Sequence, residues 1–359
     1  VGDKAYYGLG LAVGFTNQQD WWSYDTVNGW QQKTTFPGIA RQYAAATALG
    51  KYVYVFGGLD PAINSLNDLW RYDTENDSWE QLSSLLSLGR QAPMMVGLQE
   101  KIILGMGRTG TTYFDDVWQY DPILDTFEQA DNFPGGGRYY PVYANVEGNA
   151  VLVHGKGTTD CYDDCYYYST GDEEWMQMAF SPHTACNYAV AASHGYNLFI
   201  GGGLNTNNDF LNTYYEFNLR SNTWNALPDL PSIPRKGASM FVLDGALYLV
   251  GGIDSNYTRL NEVWQYDFIE IEPAKMEISP NPVSNYLNIY LDESMREYCD
   301  ETFIVSLYDI SGKLILQNEE DRNGLGLWFF LDVSALKAGM YIVNIENCTG
   351  LKSEKVVVE

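Results

Sequence analysis

Histidine is scarce in this chain, with three among 359 residues, so chemistry that needs converging imidazoles has little to start from. His183 and His194 flank one predicted strand and stand roughly 25 to 35 Å apart at about 3.3 Å per residue. They cannot share a metal or a catalytic triad, and His154 lies in a separate apolar run. Basic residues are also few: 21 Lys and Arg face 46 Asp and Glu, for a net charge of −25. This argues against nucleic acid and anionic membrane surfaces as partners, because binding phosphates takes a basic footprint. No apolar run approaches the ~20 residues of a membrane-crossing helix, so no transmembrane segment is expected. Cysteine is limited to five, an odd number that leaves one thiol unpaired within the chain.

Aromatic residues, at 15%, and 34 glycines are what the chain has in quantity, and they recur at a fixed interval. The stretch from Asn67 to Trp79 reads as two strands and their turn: Trp70 and Tyr72 alternate with polar neighbours, Asp73 to Asp77 supply turn chemistry, and Trp79 opens the next strand. Reduced copies are anchored at Trp22, Trp118, Tyr166, Tyr215 and Trp264, which gives a period of 48 to 49. Before each anchor an apolar run ends in glycine, most clearly at Gly57-Gly58 and Gly251-Gly252, with weaker copies ending at Gly10, Gly107, Gly157 and Gly203. Apolar runs bounded by glycine suit strands buried on both faces. In every copy but the first, a strand of small residues comes earlier still, such as Tyr43 to Thr47. Four short strands per unit, repeated radially, predict a β-propeller.

Paired glycines, an aromatic-x-Tyr-Asp anchor and a later Trp together resemble the kelch repeat over roughly residues 1 to 270. The fold class implied is all-β: a six-bladed kelch-type propeller over 1–272, followed by a small antiparallel β-sandwich over 273–359. Val1 to Gly8 align with the turn and second strand of a blade, so the first strand of blade one is expected to be missing. Tyr266-Asp267 runs into Phe268 with no turn and no Trp, so blade six is expected to lack a regular fourth strand. Two such gaps would be neighbours in a ring, and a preceding segment of about thirty residues would supply both strands. The alternative is that Phe268 to Ile271 forms the last outer strand.

After Pro273 the anchors stop. Strand signals follow at Tyr286 to Leu291, Phe303 to Tyr308, Lys313 to Gln317, Leu327 to Leu331, Tyr341 to Ile345 and Lys355 to Val358. Pro280-Asn281-Pro282 near the start, Tyr308-Asp309-Ile310-Ser311-Gly312-Lys313 and Leu336-Lys337-Ala338-Gly339 near the C-terminus resemble the C-terminal sorting domain of the type IX secretion system. That resemblance implies the secretion machinery as a partner, and a propeller that is extracellular or on the outer-membrane surface of a Gram-negative bacterium. Cys299 and Cys348 are the only cysteines of this segment and could bridge it.

For the propeller's own task, the residues leading into the first strands matter most, because they crowd the mouth of the central channel with the loops joining second and third strands. Arg41, Arg90, Arg138 and Arg235 occupy that position in four units, and Cys186 takes it in the fifth. A ring of arginines in an acidic protein predicts a carboxylate-bearing ligand, held through bidentate guanidinium contacts, with Tyr113 and Tyr257 stacking on sugar rings. Alternatively, each Arg fixes its own blade by bonding loop carbonyls or a nearby Asp. A protein ligand on the same loops is the rival functional reading. Catalysis finds little support. A copper radical oxidase of the galactose oxidase kind, similar in fold, needs converging histidines; a mutarotase-like activity on acidic sugars needs only Arg and a carboxylate and stays as the enzymatic alternative. No cofactor is expected, and Cys161, Cys165, Cys186 and His183 match no standard zinc spacing.

Overall fold

The computed structural model describes residues 1–159, 161–171, 173–184, 187–268, 276–291, 303–320, 328–347 and 350–359. They form strands and connecting loops, and none of the described residues is helical. The chain divides into two compact units, Val1–Phe268 and Ile269–Glu359.

The first unit is the six-bladed propeller. Blades two to five are four-stranded antiparallel sheets, exemplified by Ala45–Leu49, Tyr52–Phe56, Leu69–Asp73 and Ser78–Leu82 in blade two. Blade one comprises Ala5–Gly8, Trp21–Asp25 and Gly29–Gln32; blade six comprises Ser239–Leu243, Ala246–Val250 and Val263–Asp267. Both end blades therefore show three strands among the described residues. Residues 269–271, offered as an alternative outer strand, lie outside the described residues. Blade six meets blade one through Thr26 Oγ1, which donates to Asp244 at 2.6 Å, and Arg259 Nε, which donates to the carbonyl of Leu11 at 2.9 Å.

Each element of the repeat has a physical job. The turn aromatic packs on the anchor tyrosine or phenylalanine across the strand pair, at 4.9 Å for Tyr72 and Trp79 and 4.8 Å for both Tyr120–Phe127 and Phe217–Trp224. Such cross-strand aromatic pairs contribute about 0.5 to 1.5 kcal/mol beyond area burial. The polar turn residue then ties one blade to the last: Asp77 accepts from the Thr34 amide, Asp125 from that of Ser83 and Asn222 from that of Ala179. The second glycine of the pair is required by close approach. Gly58, with φ +105°, would put a Cβ 2.8 Å from the carbonyl oxygen of Gln42 in the chain leading into the inner strand. In blade four the equivalent residue is Gly155, φ +110°, rather than Gly157, because His154 takes the left-handed position that Gly57 fills in blade two.

The second unit is a sandwich of two antiparallel sheets. One runs Met276–Ser279, Tyr286–Leu291, Trp328–Asp332; the other runs Leu314–Glu320, Phe303–Asp309, Gly339–Asn347, Gly350–Val358. Leu287, Ile289, Val305, Leu307, Val343 and Val356 are among the side chains of its core. Asn281 of the Pro-Asn-Pro motif clasps the last strand, donating to the Lys355 carbonyl at 3.0 Å and accepting from the Val357 amide at 2.9 Å. Asp309 closes the Ser311-Gly312 turn by accepting from the amides of Ser311 and Lys313.

Candidate ligand site at the channel mouth

The four arginines do not face a ligand. Arg41, Arg90 and Arg138 are 0% exposed and Arg235 is 1% exposed. Arg41, Arg90 and Arg138 grip Asp68, Asp116 and Asp164 through both terminal nitrogens at 2.6 to 2.9 Å, and Arg235 meets Glu262 at 2.7 Å. Each also donates to a carbonyl of its own blade: Gly57, Met106, His154 and Gly251 respectively. The positive ring expected from their spacing is thus replaced by four internal staples. A guanidinium buried against a carboxylate of its own blade is committed where it sits, and the Nε of Arg90 and of Arg235, which find no acceptor, are closed off from a solute by burial.

The carboxylate partners lie two residues before the anchor, and three of them also accept from the anchor indole, at 2.7 Å from Trp70, 2.8 Å from Trp118 and 2.7 Å from Trp264. Blade five changes all three partners at once: Tyr215 replaces the Trp, Thr213 the acid and Cys186 the Arg. There His183 Nε2 lies 3.1 Å from the Thr213 carbonyl; in the loop of blade four, Cys161 is disulfide-bonded. Cys165 is a free thiol, pushed up in pKa by burial, while Cys186, Cys299 and Cys348 lie outside the described residues. Among the described residues no group of three metal-ligating side chains is assembled.

The mouth itself is built one position further on. Five backbone bridges join the chain leading into an inner strand to the residue after the second glycine: Gln42–Leu59, Gln91–Arg108, Tyr139–Lys156, Asn187–Leu204 and Lys236–Ile253. Inside this ring Tyr43, Tyr140 and Tyr188 converge, all with left-handed backbone, φ 60°, 54° and 57°. The rings of Tyr140 and Tyr188 pack 4.1 Å apart at a tilt of 35°, with their hydroxyl oxygens 3.0 Å apart, and Tyr43 meets Tyr140 edge-on at 5.4 Å. Burial above all raises both hydroxyls of the packed pair beyond the ordinary phenol range, so they remain protonated.

Three cations stand in the bridge positions: Arg108, Lys156 and Lys236. None forms a salt bridge with a described residue. Arg108 lies over Tyr139 at 4.2 Å and leaves its Nε without an acceptor. Lys236 Nζ sits 5.2 Å from the Tyr188 ring, and burial lowers its pKa. The side-chain carbonyls of Gln42 and Asn187, at equivalent positions, are buried without a donor. Tyr113 packs edge-on against Tyr139 at 5.6 Å, within this ring of contacts, whereas Tyr257 stands on the rim outside the mouth, 69% exposed. The inner strands line an open cavity of about 280 Å³, with Ala46, Met95, Ala191 and Met240 beside the polar Thr47, Asn145 and Ser193.

Residues 10–141 and 142–287 match the family described as the KLHDC2/KLHL20/DRC7 Kelch-repeats domain. The chain belongs to the kelch-repeat family. Residues 277–359 match the Secretion system C-terminal sorting domain, so this kelch propeller carries the mark of a protein exported by a bacterium through a type IX system. The kelch protein is similar to the N-acetylneuraminate epimerase of Vibrio cholerae serotype O1, at 32% identity over 124 residues, which are 32% of this chain and 31% of that protein. The enzyme of that name from Yersinia enterocolitica is 31% identical over 120 residues, 30% of this chain and 29% of its own. The match spans less than a third of the length of either relative. The solved structure of YjhT shares the fold, with a TM-score of 0.65 at 16% identity over 75% of this chain and 93% of its own.

Proposed function

We propose that this protein is a binding propeller delivered to the outer surface of a Gram-negative bacterium, and that its channel mouth takes a carboxylate-bearing sugar. One observation carries the reading: in a protein of net charge −25, Arg108 and Lys236, which pair with no described carboxylate, lie against tyrosines of the mouth, and Lys156 stands at the same bridge position as Arg108. A sugar acid meets each feature of that surface. Its carboxylate accepts from the cations, and its ring faces pack on Tyr43 and Tyr140. A second reading, epimerisation of such a sugar, is supported by the likeness to enzymes named N-acetylneuraminate epimerase. That reaction needs a base, and hydroxyls held protonated by burial, as in Tyr140 and Tyr188, are donors instead.

A glycan array spanning acidic and neutral glycans tests the first reading, and proton NMR of N-acetylneuraminate incubated with the protein tests the second. Retention of acidic glycans with no faster conversion of the sugar supports binding. Accelerated conversion favours the enzyme, and silence in both leaves a protein ligand for these loops.

A further inference from the structure

The loop joining second and third strands has the same crest in four blades. A turn closed by an amide-to-carbonyl bond three residues back ends in a left-handed residue: Phe15, Ile63, Asn208 and Tyr257, with φ 60°, 66°, 64° and 62°. Asn tolerates this backbone; a β-branched or aromatic residue is held there at a cost of about 1 to 2 kcal/mol. Phe15 and Ile63 are 79% exposed and Tyr257 is 69% exposed, so packing does not repay that strain. Two of the three, Tyr257 and Phe15, stand on blades six and one, which are neighbours in the ring.

These two rings connect to the mouth. Lys236 Nζ lies 5.2 Å from the Tyr188 ring inside it, 5.3 Å from Phe210 and 5.5 Å from Tyr257 on the rim. Two residues beyond Tyr257, Arg259 is fixed to the Leu11 carbonyl and holds its guanidinium 6.0 Å from the Phe15 ring. Rings and cations thus extend outward from the mouth: Lys236 lies among Tyr188, Phe210 and Tyr257, and Arg259, in the same loop as Tyr257, lies beside Phe15. Flat faces with interspersed donors fit successive sugars of a chain, whose apolar faces stack while their hydroxyls accept.

We infer that the ligand is an oligosaccharide whose acidic end sits in the mouth and whose following sugars run over Tyr257 and Phe15. The inference rests on the proposed reading of the mouth. Its test is calorimetric titration of the full chain with N-acetylneuraminate and with the trisaccharide N-acetylneuraminyl-lactose. The trisaccharide is expected to bind about tenfold tighter, and the double variant Tyr257→Ala, Phe15→Ala to lose that gain while keeping its affinity for the monosaccharide. Equal affinities for the two probes, or a trisaccharide gain that survives in the variant, would overturn the inference and leave the exposed rings to a polypeptide partner. If neither probe binds, the reading of the mouth itself fails and takes the inference with it.

Discussion

Tyr140 and Tyr188, one repeat apart in the chain, hold their hydroxyl oxygens 3.0 Å from each other above the channel, with ring centres 4.1 Å apart. The contact follows from period and backbone together. Each tyrosine lies two residues after the position held by the staple Arg, and the left-handed backbone at that point turns its side chain toward the axis instead of into the blade. Removing one hydroxyl, as in Tyr188→Phe, leaves the ring contact and deletes one partly buried hydrogen bond. A stability loss of about 1 kcal/mol in urea unfolding is expected; a loss several times larger would mean that the hydroxyl pair holds the inner ring together.

The staples should behave differently. Arg90→Ala leaves Asp116 in a site built for a charge pair and should cost about 3 to 5 kcal/mol. Arg90→Lys should recover little of this, since an ammonium cannot span both carboxylate oxygens. Full recovery by Lys in thermal melts would show that charge alone matters at this position.

Acid should weaken the propeller through two histidines. His154 and His183 approach to 5.5 Å, each with one ring nitrogen facing a backbone carbonyl and the other buried without a partner. Burial lowers His154 to about 4 and, with its neighbour's charge, His183 to about 3. The unfolded chain takes up these protons near the ordinary value of 6.5, while the folded chain resists until about pH 4 and below. Stability is therefore complete above about pH 6.5 and falls by a few kcal/mol as pH drops through the folded values. Glu262, held at about 2 chiefly by its bond from Arg235, loses its contribution only on acidification below its ordinary 4.5, so of these groups the histidines alone act between pH 6.5 and 4.5. Melting curves of His154→Asn, His183→Asn should be flatter than those of the parent between pH 6.5 and 4. Parallel curves would assign the acid sensitivity to other groups.

Export should depend on the second unit alone. Removing residues 274–359 deletes the matched sorting domain while keeping every described strand of the propeller. In a host with the secretion machinery the shortened protein is expected to fold and stay in the periplasm, checked by surface protease accessibility. Normal display would contradict the assignment.

Much of this architecture is legible in the sequence because it repeats. The anchors at Trp70 and Trp118, the glycine pair at Gly57-Gly58 and the breaks at both ends of the ring each fix a strand or a turn by local chemistry. The arginines misled for a physical reason: repetition at a loop position looks the same whether a side chain points to solvent or into its own blade, and only the carboxylate 26 or 27 residues later decides. A signal was present, since Asp68, Asp116, Asp164 and Glu262 recur in step with the arginines and both members vanish together at Cys186 and Thr213. Arg108, Lys156 and Lys236 gave no such signal, as they occupy unrelated copies of two different positions, each in a separate backbone bridge around the channel. The approach of His154 to His183 likewise spans a blade boundary that strand spacing does not reveal.

The proposed hold of Arg108, Lys156 and Lys236 on a carboxylate can be measured. It is tested most directly by titrating N-acetylneuraminate into the parent protein and into Arg108→Gln, Lys156→Gln, Lys236→Gln, with melting temperatures measured alongside. The triple variant is expected to melt with its parent, because none of the three is in a salt bridge with a described residue, and to bind the sugar acid at least tenfold more weakly. Unchanged affinity in a folded triple variant would contradict it.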